Sequence, residues 1–327
     1  MTVAPIRLAL IGLGTMGTEH LEVFSRLAPS VQITAVADSY PAFADRAGSR
    51  APTATVFHDP LDCVLSANID AAVVATADDT HHGIVGACIA RGIHVLCEKP
   101  LTTSAEQSLQ LVEAERVKGP RLVQVGYMRR YDDEYRRIYH TLLSGDVGDP
   151  ILIRQHHRNP LAVNNFDVQK LIGNTASHDI DLFRWLTGEE ITEVSSTAKS
   201  SHDKSALTVL LTLKSQSGIL GVVEVSRGPA LRYDIGCDIL ASRGALTLAA
   251  PTSTSGAWIE RFEGAYRAQN AAFLAAVTTK SITGPSAYDG YAANTVAEAA
   301  LAALREGNRQ PVRLVPPGTL RCREGAV

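Results

Sequence analysis

The sequence predicts an α/β protein of two domains: a doubly wound parallel sheet, followed by an α+β domain on a large, mostly antiparallel open sheet. Three observations predict this class. Over the first ~125 residues, short apolar runs alternate with helical segments, the pattern of parallel strands joined by crossover helices. After Pro150, longer strand-like runs replace that alternation. The length of 327 residues suits two domains better than a single core.

The N-terminal strands are nearly continuous apolar runs, as expected for a sheet that helices cover on both faces. These runs are IRLALIG, QITAVAD, DAAVVAT, HVLCEKP and RLVQVGY. The helical segments between them are MGTEHLEVFSRLA, AFADRAGSR, HHGIVGACIARG and SAEQSLQLVEAERVK. This order predicts a doubly wound domain over residues 1–126.

The second domain is predicted over residues 127–315, and residues 316–327 are predicted to be a flexible tail. Its strand-like runs are ILIRQHHR, ITEVSSTAK, ALTVLLTLK, ILGVVEVS, YDIGCDILAS and ALTLAA. The step LKSQSGIL is typical of a hairpin turn. Its helices are SHDIDLFRWLTG, which ends at Gly188, and the later AYRAQNAAFLAAVTT and YDGYAANTVAEAALAALREG.

Composition excludes several classes of protein. With 45% hydrophobic residues, 20% charged residues and a net charge of -3, nothing favours nucleic acid or an anionic membrane as a partner. No apolar run approaches ~18 residues, and the start MTVAPIRLAL lacks the features of a signal peptide, so we expect a cytoplasmic protein. The five cysteines form no C-x-x-C pair, and no histidines have metal-ligand spacing, so neither disulfides nor a metal is expected.

The segment LIGLGTMG contains Gly12, Gly14 and Gly17 in the G-x-G-x-x-G spacing. It follows a predicted strand and opens a predicted helix, which is the context that this fingerprint requires. Gly12 permits a tight turn, Gly14 lets the backbone approach a pyrophosphate, and Gly17 allows close helix packing. The first helical N–H groups, at Thr15 and Met16, would meet the phosphates. This pattern predicts a Rossmann dinucleotide site; the alternative is a glycine-rich turn without a ligand.

Asp38 ends the second strand, about 20 residues after the glycine motif, where a carboxylate accepts hydrogen bonds from the adenosine ribose. The same carboxylate would repel a 2′-phosphate. No arginine adjoins it in VADSY, and Arg46 is more than a helical turn away. The sequence therefore favours NAD over NADP, with Asp38 and Ser39 at the ribose.

Several segments together resemble the Gfo/Idh/MocA oxidoreductase family in order and spacing. They are LALIGLGTMG, VVATADDTHH, HVLCEKPL, LVQVGYMRRYD, HHRNP and NTASHDIDLFRWLTG. The resemblance runs from Ile6 to Leu314. Within the family, GYMRRYD, HRNP and TGPSAYDGY are most similar to inositol dehydrogenases.

The resemblance implies that Glu98 lies near the nicotinamide ribose and that Lys99 contacts the reacting hydroxyl. In this family the peptide before the proline is often cis, so that Pro100 would fix the direction of Lys99. The alternative for this pair is a surface ion pair. The resemblance also implies coenzyme contacts from Thr76, from Ala77 in place of the usual proline, and from His81.

Oxidation of an alcohol by NAD needs a base that titrates near neutral pH, which favours histidine. His178 matches the family's histidine, and Lys99 would stabilise the developing alkoxide. Many relatives carry aspartate where this chain has Asn174. We expect Asn174 to orient the substrate and His178 to act without a carboxylate partner, although Asp181 could replace part of the missing charge.

The resemblance assigns the substrate contacts to the second domain, at Arg129, His157, Asn159, Asn174, Asp181 and Tyr233, since a cyclitol needs side chains that donate and accept hydrogen bonds. Of the adjoining Arg129 and Arg130, at most one should face the site.

The leading hypothesis is NAD-dependent oxidation of a ring hydroxyl of myo-inositol, or of a related cyclitol or sugar, to the ketone. The alternatives are a pyranose sugar dehydrogenase or reductase, a dinucleotide-binding regulator without catalysis, and a transferase or hydrolase using NAD as a transient redox partner. The second domain has more strand than its helices can cover, which favours a homo-oligomer, a tetramer by the resemblance.

Overall fold

The computed structural model describes residues 4–160, 167–248 and 258–316. The chain divides into two compact units. The first contains the chain up to Tyr127 and Tyr266–Tyr291, and the second contains Met128–Ala265 and Ala292–Leu314. The predicted flexible tail lies outside the described residues from residue 317 onward.

The first unit is built on a six-stranded parallel sheet. Its strands are β1 (Ile6–Ile11), β2 (Val31–Ala37), β3 (Thr55–Phe57), β4 (Ala71–Val74), β5 (His94–Cys97) and β6 (Val123–Val125). The spatial order β3-β2-β1-β4-β5-β6 confirms the predicted doubly wound sheet. Because the order reverses between β1 and β4, the turns that follow these two strands meet at the carboxyl edge, where ligands bind in such sheets. Sequence analysis missed β3, which has only three residues, none of them buried.

Helices connect these strands. They are α1 (Thr15–Ser25), α2 (Pro41–Arg50), α3 (Pro60–Ser66), α4 (His81–Arg91) and α5 (Ala105–Lys118). The short α3 was not predicted; Asp59 caps it by accepting hydrogen bonds from the N–H groups of Leu61 and Asp62.

The second unit is built on a seven-stranded sheet and lies C-terminal to the first along most of the chain. Its helices are α6 (Asp133–Leu143), α7 (Val168–Lys170) and α8 (Ser177–Thr187), and a π-helical turn (Leu171–Thr175) separates α7 from α8. Its strands are β7 (Pro150–Pro160), β8 (Ile191–Ser200), β9 (Leu207–Ser215), β10 (Leu220–Gly228), β11 (Asp234–Ala241), β12 (Gly244–Thr247) and β13 (Gln310–Pro311). The order is β12-β11-β7-β10-β9-β8-β13, and among the described pairs only β7 and β10 run parallel, which confirms a mostly antiparallel sheet.

One face of this second sheet packs against α8. A Cβ on Gly221 in β10 would lie 2.8 Å from the ring of Phe183, so glycine lets the helix approach the strand. Gly188 ends α8 in the left-handed conformation at φ 67°, as predicted.

Two long helices complete the fold, α9 (Trp258–Thr279) and α10 (Ala287–Glu306). Sequence analysis placed residues 127–315 in one continuous domain, whereas Tyr266–Tyr291 belong to the first unit. The reason is packing, since Phe273, Leu274 and Val277 of α9 are buried in the core that β1, β2 and β4 form. No helix in the described part of the chain is long and apolar enough to cross a membrane.

Candidate active site

The glycine loop after β1 is shaped for close approach of a ligand. Gly12 adopts φ +85°, and a Cβ there would lie 2.5 Å from the carbonyl group of Ala75 at the end of β4. A Cβ on Gly17 would lie 1.7 Å from the carbonyl oxygen of Gly12. A Cβ on Gly14, in contrast, would meet nothing within 4 Å. Gly12 and Gly17 therefore serve the turn and the packing, while Gly14 leaves open space above the backbone, as predicted.

The N-terminus of α1 fits a phosphate group. The helix begins at Thr15 after the N-cap residue Gly14, and no side chain among the described residues caps it. Its first N–H groups, which include those of Thr15 and Met16, consequently point toward the space above Gly14. A dinucleotide pyrophosphate would satisfy these donors.

A pocket of about 520 Å³ adjoins the loop. It is lined by Gly12, Gly14, Asp38, Ser39, Tyr40, Phe43, Asp59, Pro60, Leu61, Ala75, Thr76, Ala77, Thr80 and Ile84. Ser39, Thr76 and Ala77, which the sequence assigned to the coenzyme, therefore line one pocket of the first unit.

Asp38 is held in one orientation at this pocket. Its Oδ2 accepts the N–H of Leu13 at 2.6 Å and its Oδ1 accepts the N–H of Tyr40 at 2.8 Å. Each carboxylate oxygen has a second lone pair that can accept a ribose hydroxyl. Arg46 stacks over the ring of Phe43, with its guanidinium carbon 5.1 Å from the ring centroid.

His81, which was predicted to contact the coenzyme, does not line this pocket. Its side chain is fully buried, with Nδ1 2.9 Å from the carbonyl oxygen of Pro100 and Nε2 3.2 Å from that of Thr76. A ring without exposed surface cannot touch a ligand in the pocket. His81 instead ties the turn after β5 to the end of β4, and is a positioning residue.

The E-K-P turn follows β5 directly, and the Lys99–Pro100 peptide is cis. Glu98 is only 7% exposed, so this turn is not a surface ion pair. Its Oε1 lies 3.0 Å from Nε2 of His20, and its Oε2 accepts the N–H of Lys99 at 3.3 Å. Burial raises the pKa of the preceding Cys97 thiol well above its usual value, so this cysteine is not an activated nucleophile.

The second unit brings three predicted site residues together. His178, at the second position of α8, has its ring 6.4 Å from that of His157 in β7. The His157 ring contacts that of Tyr233 edge to face at 5.9 Å. Asn159 lies two residues after His157 on the same face of β7. Asn174 lies in the π-helical turn, where its carbonyl oxygen accepts the hydroxyl of Ser177 at 2.7 Å.

Arg129 is buried in an ion pair, and its side chain is not open to a substrate as predicted. Its side chain is 1% exposed; Nη1 donates to Oδ1 of Asp179 at 2.7 Å and Nη2 lies 3.0 Å from Nδ1 of His157. Burial, the largest single influence, lowers the pKa of Arg129, but the Asp179 carboxylate together with Tyr135 and Tyr233 leaves that pKa raised. Burial alone would likewise raise the pKa of Asp179, yet Arg129 and His157 keep it below its usual value.

Asp181 is likewise not a substrate contact. Its side chain is 1% exposed, and its two oxygens accept hydrogen bonds from Nε and Nη2 of Arg130. The negative charge of Asp181 is therefore directed at Arg130, so it does not replace the carboxylate that Asn174 lacks.

Two residues escaped sequence analysis, Asp179 and His20. Asp179 adjoins His178 but was not singled out, because its partner Arg129 is 50 residues away in the chain. His20 follows the glycine motif by three residues on α1, and only its burial reveals its importance. In the described part of the chain, no group of three His, Cys, Asp or Glu side chains could hold a metal ion.

Comparison with known proteins found matches over nearly the whole chain. Residues 6–127 match the GFO_IDH_MocA profile, described as oxidoreductase family, NAD-binding Rossmann fold, and residues 135–247 match the GFO/IDH/MocA C-terminal domain. Inositol 2-dehydrogenase 1 of Saccharopolyspora erythraea is 36% identical, covering 94% of this chain and 97% of the relative. Inositol 2-dehydrogenase of Rhodococcus erythropolis is 33% identical, covering 95% and 96%. The crystal structure of myo-inositol dehydrogenase from Lactobacillus casei in complex with NAD(H) and myo-inositol superimposes with a TM-score of 0.87 at 27% identity, covering 95% and 98%.

Proposed function

Because the chain belongs to the Gfo/Idh/MocA oxidoreductase family, we propose that it oxidises a ring hydroxyl of myo-inositol or a related cyclitol to the ketone, with NAD as coenzyme. The observation that carries this proposal is the similarity to inositol 2-dehydrogenases over nearly the whole chain, since it includes both the coenzyme unit and the substrate unit. When bound, NAD supplies the hydride acceptor.

The proposal assigns coenzyme binding to residues 1–126 and substrate binding to residues 127–315. Backbone N–H groups at the start of α1 hold the pyrophosphate, Asp38 accepts the adenosine ribose hydroxyls, and Glu98 accepts those of the nicotinamide ribose. The other residues assigned to the coenzyme are Gly12, Gly14, Thr15, Met16, Ser39, Thr76, Ala77 and Lys99.

The proposed chemistry divides between two side chains. The Lys99 ammonium donates a hydrogen bond to the reacting hydroxyl oxygen and stabilises the negative charge that develops there. A ring nitrogen of His178 accepts the hydroxyl proton. Asn174 orients the substrate, and His157, Asn159 and Tyr233 surround its other hydroxyls, whereas Arg129 acts through His157.

The test is NADH absorbance after mixing the protein with NAD and a panel of inositols, glucose, galactose and xylose. Turnover with inositols alone supports the proposal, and turnover with pyranoses instead indicates a sugar dehydrogenase. Tight NAD binding without turnover of any polyol would indicate a regulator. Lys99→Met should lower kcat by about 10²- to 10³-fold, because it removes the donor to the developing charge.

We also propose that the protein is a homo-oligomer, a tetramer by the family resemblance, and that the second copy covers the outer face of the second sheet. In the strand register, Leu152, Leu220 and Leu240 form one row on this face, and Leu220 and Leu240 are about half exposed. Arg158, on the same face, pairs with Glu224 and Asp234. An apolar row beside charged side chains is typical of a protein interface.

The proposed location is the cytoplasm. All four cysteines in the described residues are free and buried, namely Cys63, Cys88, Cys97 and Cys237. Reduced thiols are the norm in that compartment.

A further inference from the structure

We propose that His20 and Asn270 are positioning residues for the coenzyme, because together they fix the Glu98 carboxylate. We call these three side chains the Glu98 relay. The inference rests on the proposed function, in which Glu98 binds the nicotinamide ribose. It adds two residues, one from the helix after the glycine loop and one from a helix 250 positions later in the chain.

The relay is a continuous chain of hydrogen bonds inside the first unit. Nδ2 of Asn270 in α9 lies 3.0 Å from Nδ1 of His20, and Nε2 of His20 lies 3.0 Å from Oε1 of Glu98. His20 is 1% exposed and Asn270 is fully buried, so water does not compete for these bonds. The relay therefore connects α1, the E-K-P turn and α9.

With the Asn270 amide oriented so that Nδ2 faces His20, the donor pattern gives the tautomer of His20. An amide nitrogen only donates, so Nδ1 of His20 must be the acceptor. A neutral imidazole with an unprotonated Nδ1 carries its proton on Nε2, and that proton points at the Glu98 carboxylate. Asn270 thus presents the imidazole to Glu98 as a hydrogen-bond donor, although it does not itself contact Glu98 in this relay.

A second donor restricts the carboxylate. The N–H of Lys99 donates to Oε2 of Glu98, and Gly126 leaves room for the carboxylate, since a Cβ there would lie 3.0 Å from Oε2 and 3.1 Å from Oε1. His20 at Oε1 and the Lys99 N–H at Oε2 thus hold one carboxylate oxygen each. A buried carboxylate needs such donors, and loss of one would let it rotate toward other partners.

The relay has a consequence for coenzyme binding. Helix α1 presents its N-terminus to the pyrophosphate and carries His20 one and a half turns further on, so a single rigid element serves both ends of the proposed coenzyme site. If the relay orients Glu98 toward a ribose, its disruption weakens coenzyme binding and leaves polyol binding nearly unchanged.

The experiment measures NADH binding by fluorescence titration in the full-length protein. His20→Leu removes the donor to Glu98 and should raise the Kd for NADH about tenfold, in line with the loss of one charge-assisted hydrogen bond. His20→Gln, whose amide can reach the Nε2 position, should restore most of the affinity. Asn270→Ala should weaken binding less than His20→Leu and should add almost nothing in the His20→Leu background, because Asn270 acts through His20.

His94→Leu is the matched control. His94 is another buried histidine of the first unit, at the opposite end of β5 from Glu98. This variant should leave the Kd for NADH within twofold. Thermal unfolding of each variant identifies those that remain folded.

The KM values for the two substrates distinguish positioning of the coenzyme from a purely structural role of His20. In steady-state assays, the KM for NAD should rise about tenfold in His20→Leu, while the KM for myo-inositol should stay within twofold. An unchanged Kd for NADH in folded His20→Leu overturns the inference, as do additive effects of His20→Leu and Asn270→Ala. If His20→Leu does not fold, an unchanged Kd for NADH in folded Asn270→Ala overturns it.

Failure of the proposed function has a different result. In that case the wild-type protein turns over no inositol, whereas the NADH titrations still report on the relay. Turnover of inositol by the wild type, together with unaltered NADH binding in the variants, rejects the relay alone.

Discussion

The Asp179 carboxylate lies inside the second unit between Arg129 and His157. A proton on Nδ1 of His157 would be donated to Oδ2 of Asp179 at 3.2 Å, and without it the same nitrogen accepts from Arg129 at 3.0 Å. The state of Nδ1 therefore decides which partner His157 uses. The His157 ring lies 6.4 Å from that of His178, the proposed base. The buried Arg129–Asp179 ion pair, which contacts His157, therefore positions the ring beside that base.

Asp179→Asn should destabilise the second unit by about 3–5 kcal/mol, because it leaves the Arg129 charge buried without its counter-ion. Urea unfolding measures this cost. Glu134→Gln, which breaks the exposed pair with Arg137, should change stability by less than about 1 kcal/mol. Equal stability of Asp179→Asn and the wild type would contradict the role given to this carboxylate.

Asp179 also predicts a dependence on acid. Its pKa is lower in the folded protein than the ordinary value of 3.8, so the unfolded chain binds the proton more readily. The stabilisation is complete above about pH 4 and is lost as the pH falls through the lower, folded pKa. The wild type should lose stability below pH 4 more steeply than Asp179→Asn, as measured by urea midpoints at successive pH values.

Asp38→Ser should shift coenzyme preference toward NADP, because it removes the charge that repels a 2′-phosphate. We expect the ratio of kcat/KM for NAD to that for NADP to fall at least tenfold. Asp59→Ser, at a second carboxylate of the same pocket, should keep the ratio within twofold, since its side chain caps α3. An unchanged ratio in Asp38→Ser would refute the ribose assignment.

Asn174→Asp tests whether His178 works without a carboxylate partner. If Asn174 orients the substrate, aspartate should change kcat by less than about tenfold, far below the ~10⁴ that separates Asp from Asn in a protease triad. Steady-state kinetics on several cyclitols provide the measurement. A rise in kcat of orders of magnitude on every cyclitol would contradict the assignment of Asn174 as a residue that orients the substrate.

At the scale of elements, the π-helical turn before α8 is a feature that sequence analysis did not predict. The predicted helix SHDIDLFRWLTG is α8, and Leu171–Thr175 form a wider turn before it begins. Such turns add a residue and change the phase between the side chains on either side. The relation of Asn174 to His178 is thus not that of two residues on one regular helix face.

The loop between β1 and α1 gives the prediction at this scale. Gly17→Ala should abolish measurable NADH binding, because its Cβ would overlap the carbonyl oxygen of Gly12 and push α1 from the strand. Gly83→Ala in α4 is the control, since its Cβ meets nothing within 4 Å. It should leave binding unchanged and stabilise the helix by up to about 1 kcal/mol. Normal NADH affinity in Gly17→Ala would contradict the close packing of this loop.

At the scale of the whole molecule, the proposed assembly depends on the outer face of the second sheet. Leu220→Asp should reduce the size of the proposed oligomer at micromolar concentration, because a charge replaces an apolar side chain in the proposed interface. Light scattering after size exclusion measures the mass. Leu143→Asp, at a leucine of α6 that is 70% exposed, should leave the mass unchanged. A monomeric wild type would refute the proposed interface.

Local sequence alone determined the doubly wound sheet, the coenzyme loop and the E-K-P turn. Each depends on neighbours in the chain: apolar runs that form strands, and glycines whose conformation other residues rarely adopt. The alternation of strands and helices also predicted that Asp38, Thr76 and Glu98 lie where strands end, at the carboxyl edge of the sheet. For these features, a short segment contains all the physical information needed.

Tertiary structure decided which polar side chains face a ligand and which hold one another. Sequence placed Arg129 and Asp181 at the substrate, but the fold buries both in ion pairs with residues about 50 positions away. It likewise joins His20 to Asn270 across 250 positions and assigns part of α9 to the first core. Burial and partner choice depend on packing between distant segments, and no local pattern of residue types specifies that packing.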